Sequence, residues 1–269
     1  MISAVPVTSI IAMAVNAVVV TLLPIIAFIY VTKKFNCAQN CVLVGAGTFV
    51  VFALVLETVL HQVVFRIFGE TLMGNTWLYA LYGGLAAGLF EETGRLISMK
   101  LFMKKCLTKE NSLMFGIGHG GAEAIIIGAM TAFSNIVMSV MINMNQVDKL
   151  LATAGENEKD AAIQQLSALG TTPAGEYLLG GFERIVAFAM QICLSYMVYR
   201  AVKYKKPVFY IIAILIHFAL DASTVIILKA TSVYITECIL FAETVCLSII
   251  VYKAYRAEKD EPDKEPVTQ

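Results

Sequence analysis

Seven apolar runs, each close to the length that crosses a bilayer, succeed one another along this chain of 269 residues. A hydrocarbon core of about 30 Å takes roughly 20 residues of helix, and within it each backbone N–H and C=O must be satisfied inside the segment. The chain is therefore expected to be an all-α polytopic membrane protein. Its seven transmembrane helices are read at about 7–31, 41–65, 76–100, 112–141, 173–199, 207–229 and 232–253. Only 15% of the residues are charged and 58% are hydrophobic, a balance foreign to a soluble protein of this length. The spans make one domain, 1–253, followed by a charged tail over 254–269.

Between the spans, 66–75 reads as a short loop because Gly69, Gly74 and Asn75 fall there. Asn111-Ser112 reads as the cap of the fourth span, and Thr172-Pro173 as the start of the fifth. The polar segment 143–172 includes Glu156, Glu158, Lys159 and Asp160. Within it Ile163, Leu166 and Leu169 recur at helical spacing, which predicts a short helix on the surface.

The charges orient the bundle. Lys33 and Lys34, Lys100 to Lys109, Arg200 to Lys206 and the tail from Lys253 hold 14 of the 20 Lys and Arg, and alternation of seven spans puts all four clusters on one side. Arg66, Lys149, Lys159 and Lys229 fall on the other. By the positive-inside rule the N-terminus lies outside and the C-terminus in the cytoplasm, in a protein integral to a bacterial cell membrane. The six cysteines lie in or beside spans, which excludes a disulfide-rich ectodomain. Cys37-x3-Cys41 lacks a second ligand pair for zinc. No phosphate-cradling glycine motif is present, so no nucleotide is expected, and the basic clusters are explained by topology and anionic headgroups, so no nucleic acid is expected as a partner.

Against this background the third span is anomalous, because it carries Phe90-Glu91-Glu92-Thr93-Gly94-Arg95. A charge at a helix centre costs roughly 2.5–3.5 kcal/mol on insertion scales, so three together call for partners. On a helix Arg95 is i,i+4 to Glu91 and i,i+3 to Glu92, and one guanidinium can neutralise either. The fourth span carries Phe115-x3-His119, followed by Gly120-Gly121-Ala122-Glu123, and the sixth carries His217-x3-Asp221. Counted from the cytoplasmic ends of their spans, Glu92, His119 and His217 all fall roughly 12–15 Å deep at the helical rise of about 1.5 Å per residue. Polar groups at one depth on three helices satisfy one another only around a shared cavity. His119 with Glu123, and His217 with Asp221, share helical faces, so each carboxylate is placed to orient an imidazole. Gly84-x3-Gly88 and Gly116, Gly118, Gly120 and Gly121 permit close helix packing beside these residues.

Glu-Glu followed by Arg, then Phe-x3-His, then His-x3-Asp on successive membrane helices resembles the CPBP family of glutamate-dependent intramembrane peptidases, which takes in CAAX prenyl endopeptidases and bacteriocin-processing enzymes. The Phe-x3-His-Gly-x2-Glu form and the seven-span layout are more similar to its YhfC branch, described as intramembrane metalloproteases. The resemblance runs from Phe90 to Asp221. It implies that Glu91 activates water together with His119, that Glu92 and Arg95 form a holding pair, and that His217 and Asp221 polarise the scissile carbonyl. The family's motif has three residues between the second Glu and Arg where only Thr93 and Gly94 stand here, which leaves the base as either Glu91 or Glu92.

The expected function is hydrolysis of a peptide bond near the cytoplasmic leaflet, with lipid and a peptide or membrane-protein substrate as partners and no cofactor. A zinc-dependent version would draw on His119, His217 and Glu91 or Glu123. A proton- or ion-coupled transporter, or a catalytically silent scaffold, would use the same polar residues differently.

Overall fold

The structure is a computed structural model that describes residues 2–152, 155 and 158–258. These residues are helical almost throughout, and none of them is in a strand. The helices in chain order are α1 (Val7–Lys34), α2 (Asn40–Met73), α3 (Thr76–Phe102), α4 (Lys109–Asn143), α5 (Val147–Leu151), α6 (Lys159–Thr171), α7 (Ala174–Lys203), α8 (Val208–Ala230) and α9 (Val233–Ala257). Six of them (α1, α2, α4, α7, α8 and α9) are long and apolar enough to cross a membrane. Helix α3, at 27 residues, is equally long but carries Glu91, Glu92 and Arg95. Ile26, Phe133 and Ile250 on the outside of the bundle are 61–66% exposed, as lipid-facing side chains are.

Helix ends depart from the sequence expectations where local caps compete. The expected loop at 66–75 is helical as far as Met73, because Gly69 alone does not break a helix and the chain turns only at Gly74. Asn75 then caps α3, its side chain accepting from the Trp77 and Leu78 amides at 3.0 and 3.2 Å. Helix α4 is capped by Thr108, not by Asn111-Ser112. Asn111 instead ties down the neighbouring loops, accepting from the Ala38 amide and donating to the Cys106 carbonyl, each at 2.7 Å. Helix α9 runs on to Ala257, so the expected tail at 254–269 starts later; its residues 259–269, like Glu156, lie outside the described residues.

Helix α6 is an amphipathic surface helix, as its spacing predicts. Leu166 and Leu169 are buried against Val5, Met13 and Ile142, so α6 caps one end of α1 and α4, while Ile163 stays exposed.

Helix α7 is the central one: 61% of its apolar stretch is buried, against 22–28% in the other five apolar helices. It packs against α1, α3, α4, α8 and α9. Helix α8 lies along α3, and the first part of α2 lies along the first part of α4. Both contacts depend on glycine. A Cβ on Gly84 would sit 2.7 Å from the Phe218 carbonyl oxygen, and one on Gly118 would overlap the Val42 carbonyl. Two helices also widen into π-helical turns, at Val50–Glu57 in α2 and Ala124–Ala129 in α4. Such turns rotate the side chains that follow out of α-helical register. The first carries Phe52 against Gly94, one residue from Arg95, and the second begins directly after Glu123.

Candidate active site

Helices α3, α4, α7 and α8 bring their polar residues together inside the bundle. Glu91 is 7% exposed, His217 2%, Gln191 1%, and Glu92, Arg95 and His119 are fully buried. The centre of the network is Arg95, whose guanidinium donates to Glu92 Oε1, to Gln191 Oε1 and, at 3.3 Å, to Glu91 Oε2. A planar fork with several donors serves three acceptors at once, which an ammonium group does less well.

Glu91 and Glu92, adjacent in sequence, occupy different environments. Glu92 is enclosed between Arg95 and His217, whose Nδ1 lies 2.8 Å from Glu92 Oε1. Glu91 receives His119 Nε2 at 2.8 Å and Gln191 Nε2 at 3.1 Å, in addition to Arg95, all on Oε2. Phe115, one turn before His119, stacks on its ring with centroids 6.3 Å apart, and Phe49 meets it edge-on at 5.4 Å. The imidazole is thus held by two aromatic rings and one carboxylate, and its Nδ1 has no hydrogen-bond partner.

A cavity of about 290 Å³ opens between α7, α8 and α9 beside this network. Glu91, Gln191, His217 and Asp221 reach its wall, and Met190, Val225 and Leu240 supply much of the apolar remainder. Asp221 lies 3.5 Å from His217 Nε2, with its side chain 36% exposed. Glu92 and His119 stand behind this wall.

Two pairings read from the sequence are rearranged. Glu123 does not orient His119; its carboxylate accepts from Gln191 Nε2 at 2.6 Å and from Arg184 Nη1 at 3.1 Å. The π-helical turn begins immediately after Glu123, and the donors of α7 are closer to it than the imidazole one turn away on its own helix. His217 is held chiefly by Glu92 on α3, with Asp221 the looser contact. Arg184 also contacts Glu183, so this pair forms part of the cavity rim. Glu57 and His61 pair at 3.2 Å, with His61 Nδ1 on the Tyr82 hydroxyl at 2.7 Å. The residue that sequence reasoning missed is Gln191. A depth count would have found it, since it lies nine residues before Arg200 at the end of its span, close to the eight that separate Glu92 from Lys100.

The model of the YhfC intramembrane metalloprotease family matches residues 19–243, and so spans every residue of this network. The chain belongs to that family. It is also 38% identical over 208 residues to a Bacillus subtilis (strain 168) protein described as "Uncharacterized membrane protein YhfC". That match covers 76% of this chain and 80% of the relative. No solved structure matches. Membership in the YhfC family makes this chain an integral membrane protein of a protease family.

The YhfC family name implies a metal, and the donors can be examined for it. A catalytic zinc takes three protein donors converging at about 2.0–2.3 Å, with imidazole ligands anchored through their second nitrogen. His217 suits such a role, with Glu92 behind Nδ1 and Nε2 on the cavity side. His119 does not, because Nε2 points at Glu91 and Nδ1 is unanchored. Glu123 is committed to Arg184 and Gln191. Among the described residues no three His, Cys, Asp or Glu side chains gather as a metal site. The zinc set His119, His217, Glu91 and Glu123 is therefore not assembled here, and the guanidinium of Arg95 supplies the positive charge between the two glutamates.

Proposed function

We propose that this protein is an intramembrane endopeptidase in which Glu91, assisted by His119, activates the attacking water. The observation that carries this reading is the convergence of His119 Nε2, Arg95 Nη2 and Gln191 Nε2 on one oxygen of a glutamate that also borders a cavity. With Oε2 so occupied, Oε1 is the oxygen that takes the proton from water. A carboxylate fixed by donors at the wall of a cavity keeps its orientation and acts as a base with little rearrangement of its surroundings.

Glu92 and Arg95 have a different part. Enclosure of Glu92 between a guanidinium and an imidazole favours it as the holder of Arg95 and His217, not as the base. His217, with Nδ1–H on Glu92, presents Nε2–H to the oxyanion that forms when water adds to the scissile carbonyl. Asp221 keeps that ring turned toward the cavity. Collapse of the tetrahedral intermediate breaks the C–N bond, and the proton first taken by Glu91 passes to the departing amine. No step requires a metal.

On the reading of seven crossings with the N-terminus outside, which the distribution of Lys and Arg supports, this chemistry lies nearer the cytoplasmic leaflet, where a membrane-protein or peptide substrate would enter from the lipid. The test is incubation of the purified, reconstituted protein with a membrane-peptide library, with mass spectrometry of the products. Cleavage at an intramembrane bond is the expected result. Proton-coupled uptake into liposomes with every peptide intact would replace the peptidase reading by a transporter.

A further inference from the structure

A second polar cavity, of about 720 Å³, lies at the end of the bundle where the basic residues gather. Four helix ends meet there: Lys34 ends α1, Lys109 starts α4, Lys203 ends α7 and Arg256 is in the last turn of α9. All four line the cavity, with Glu110 and Glu258 the acidic residues among its walls. Cations at helix C-termini are ordinary complements of the helix dipole, and for Lys34, Lys203 and Arg256 that alone would account for the charge.

What it does not account for is a pair of phenols, Tyr199 in the cavity wall and Tyr196 beside it. Tyr196 and Tyr199, 1% and 2% exposed, both donate to the carboxylate of Glu258, at 2.7 and 2.6 Å. Lys109, itself 9% exposed, donates to the Glu258 carbonyl at 2.8 Å and lies over the Tyr255 ring. Two buried hydroxyls converging on an anion, beside a cavity lined by four cations, form an oxyanion-binding niche in which Glu258 occupies the acceptor position. The geometry points to a site for a phosphate-bearing anion, reached from the membrane interface, in which the ligand's phosphate takes the place of the Glu258 carboxylate. Basic pockets between helices at this level suit anionic lipid headgroups, and inorganic phosphate offers the same oxygens.

The test uses the full-length protein in nanodiscs of equal phosphatidylglycerol and phosphatidylcholine, with retained lipid counted by native mass spectrometry after detergent exchange. Wild-type protein retains phosphatidylglycerol in preference. Lys34→Ala and Arg256→Ala, both at exposed positions and therefore compatible with folding, lower that retention roughly fivefold each, the equivalent of about 1 kcal/mol per interfacial cation. Glu258→Gln raises it, and Tyr199→Phe in the Glu258→Gln background lowers it again without changing any charge. A parallel arm titrates inorganic phosphate in detergent. Phosphate binding with the same variant pattern, in the absence of any lipid preference, assigns the site to a soluble anion. Retention that follows net charge alone, with Lys149→Ala at the opposite end as damaging as Arg256→Ala and Tyr199→Phe silent, overturns the proposal.

Discussion

Gln191 Nε2 lies 3.1 Å from Glu91 Oε2 and 2.6 Å from Glu123 Oε2, so one amide of the central helix bridges two carboxylates that belong to different helices. Its carbonyl accepts from Arg95, which completes a loop through α3, α4 and α7. An amide is suited to this place because it offers donor and acceptor together, whereas a carboxylate would add a third negative charge.

Gln191→Leu is therefore expected to lower kcat by about 10–100-fold with a smaller change in KM, as for other residues that orient a reacting group. Gln191→Glu should be worse than Gln191→Leu, because it puts another negative charge against Glu91 and Glu123. Steady-state kinetics on a cleaved membrane peptide checks the order.

The two neighbouring glutamates should separate in their effects on stability. Arg95→Ala leaves Glu92 a buried charge without its cation, and Glu92→Gln takes from Arg95 the nearer of its two carboxylates and from His217 its carboxylate contact, each at a cost of about 3–5 kcal/mol. Glu91→Gln should cost less, since an amide at the cavity wall still reaches water and His119. Reversible unfolding in mixed micelles measures all three, and equal losses for Glu91→Gln and Glu92→Gln would remove the distinction between base and holder.

Close approach of α3 and α8 sets the position of His217. A Cβ at Gly84 meets the Phe218 carbonyl oxygen at 2.7 Å, and one at Gly88 meets the Ile214 carbonyl oxygen at 3.0 Å. Gly84→Ala is expected to cost about 1–3 kcal/mol by overpacking and to lower activity by drawing His217 away from Glu92. Disulfide-trapping rates between cysteines introduced on α3 and α8 would report the widened spacing; unchanged trapping with unchanged activity would show that the contact tolerates a methyl group.

Much of this arrangement was legible from residues alone. The charged stretch Glu91-Glu92-x2-Arg95 could not face lipid, and the matching depths of Glu92, His119 and His217 announced a shared centre. What could not be read was which acid each histidine would choose. His119 and Glu123 lie on one helical face, but a shared face fixes only nearness, and Glu91 and Gln191 on other helices competed successfully. The π-helical turns at Val50–Glu57 and Ala124–Ala129 leave no periodic signature in sequences that are apolar on every side. Gln191 was overlooked because it bears no charge, though its depth matched. Helix α6 was legible from Ile163, Leu166 and Leu169, but its packing partners were not: Leu166 and Leu169 bury onto Val5 and Ile142, which are far away in sequence.

Metal removal tests the charge assignment. With Arg95 as the fixed cation of the site, protein treated with a strong chelator and freed of zinc by analysis is expected to retain its proteolytic rate. Loss of activity that zinc restores would show that the donors rearrange around a metal, and His217 with Asp221 would then be the first ligands to examine.

The most direct measurement is the cleavage rate of Glu91→Gln against wild type on one reconstituted membrane peptide, each shown to be folded by its unfolding transition. A loss of at least about 10²-fold, with Glu91→Asp recovering part of it, is the expected result for a general base. Cleavage by Glu91→Gln at the wild-type rate would contradict the assignment of the attacking water to Glu91.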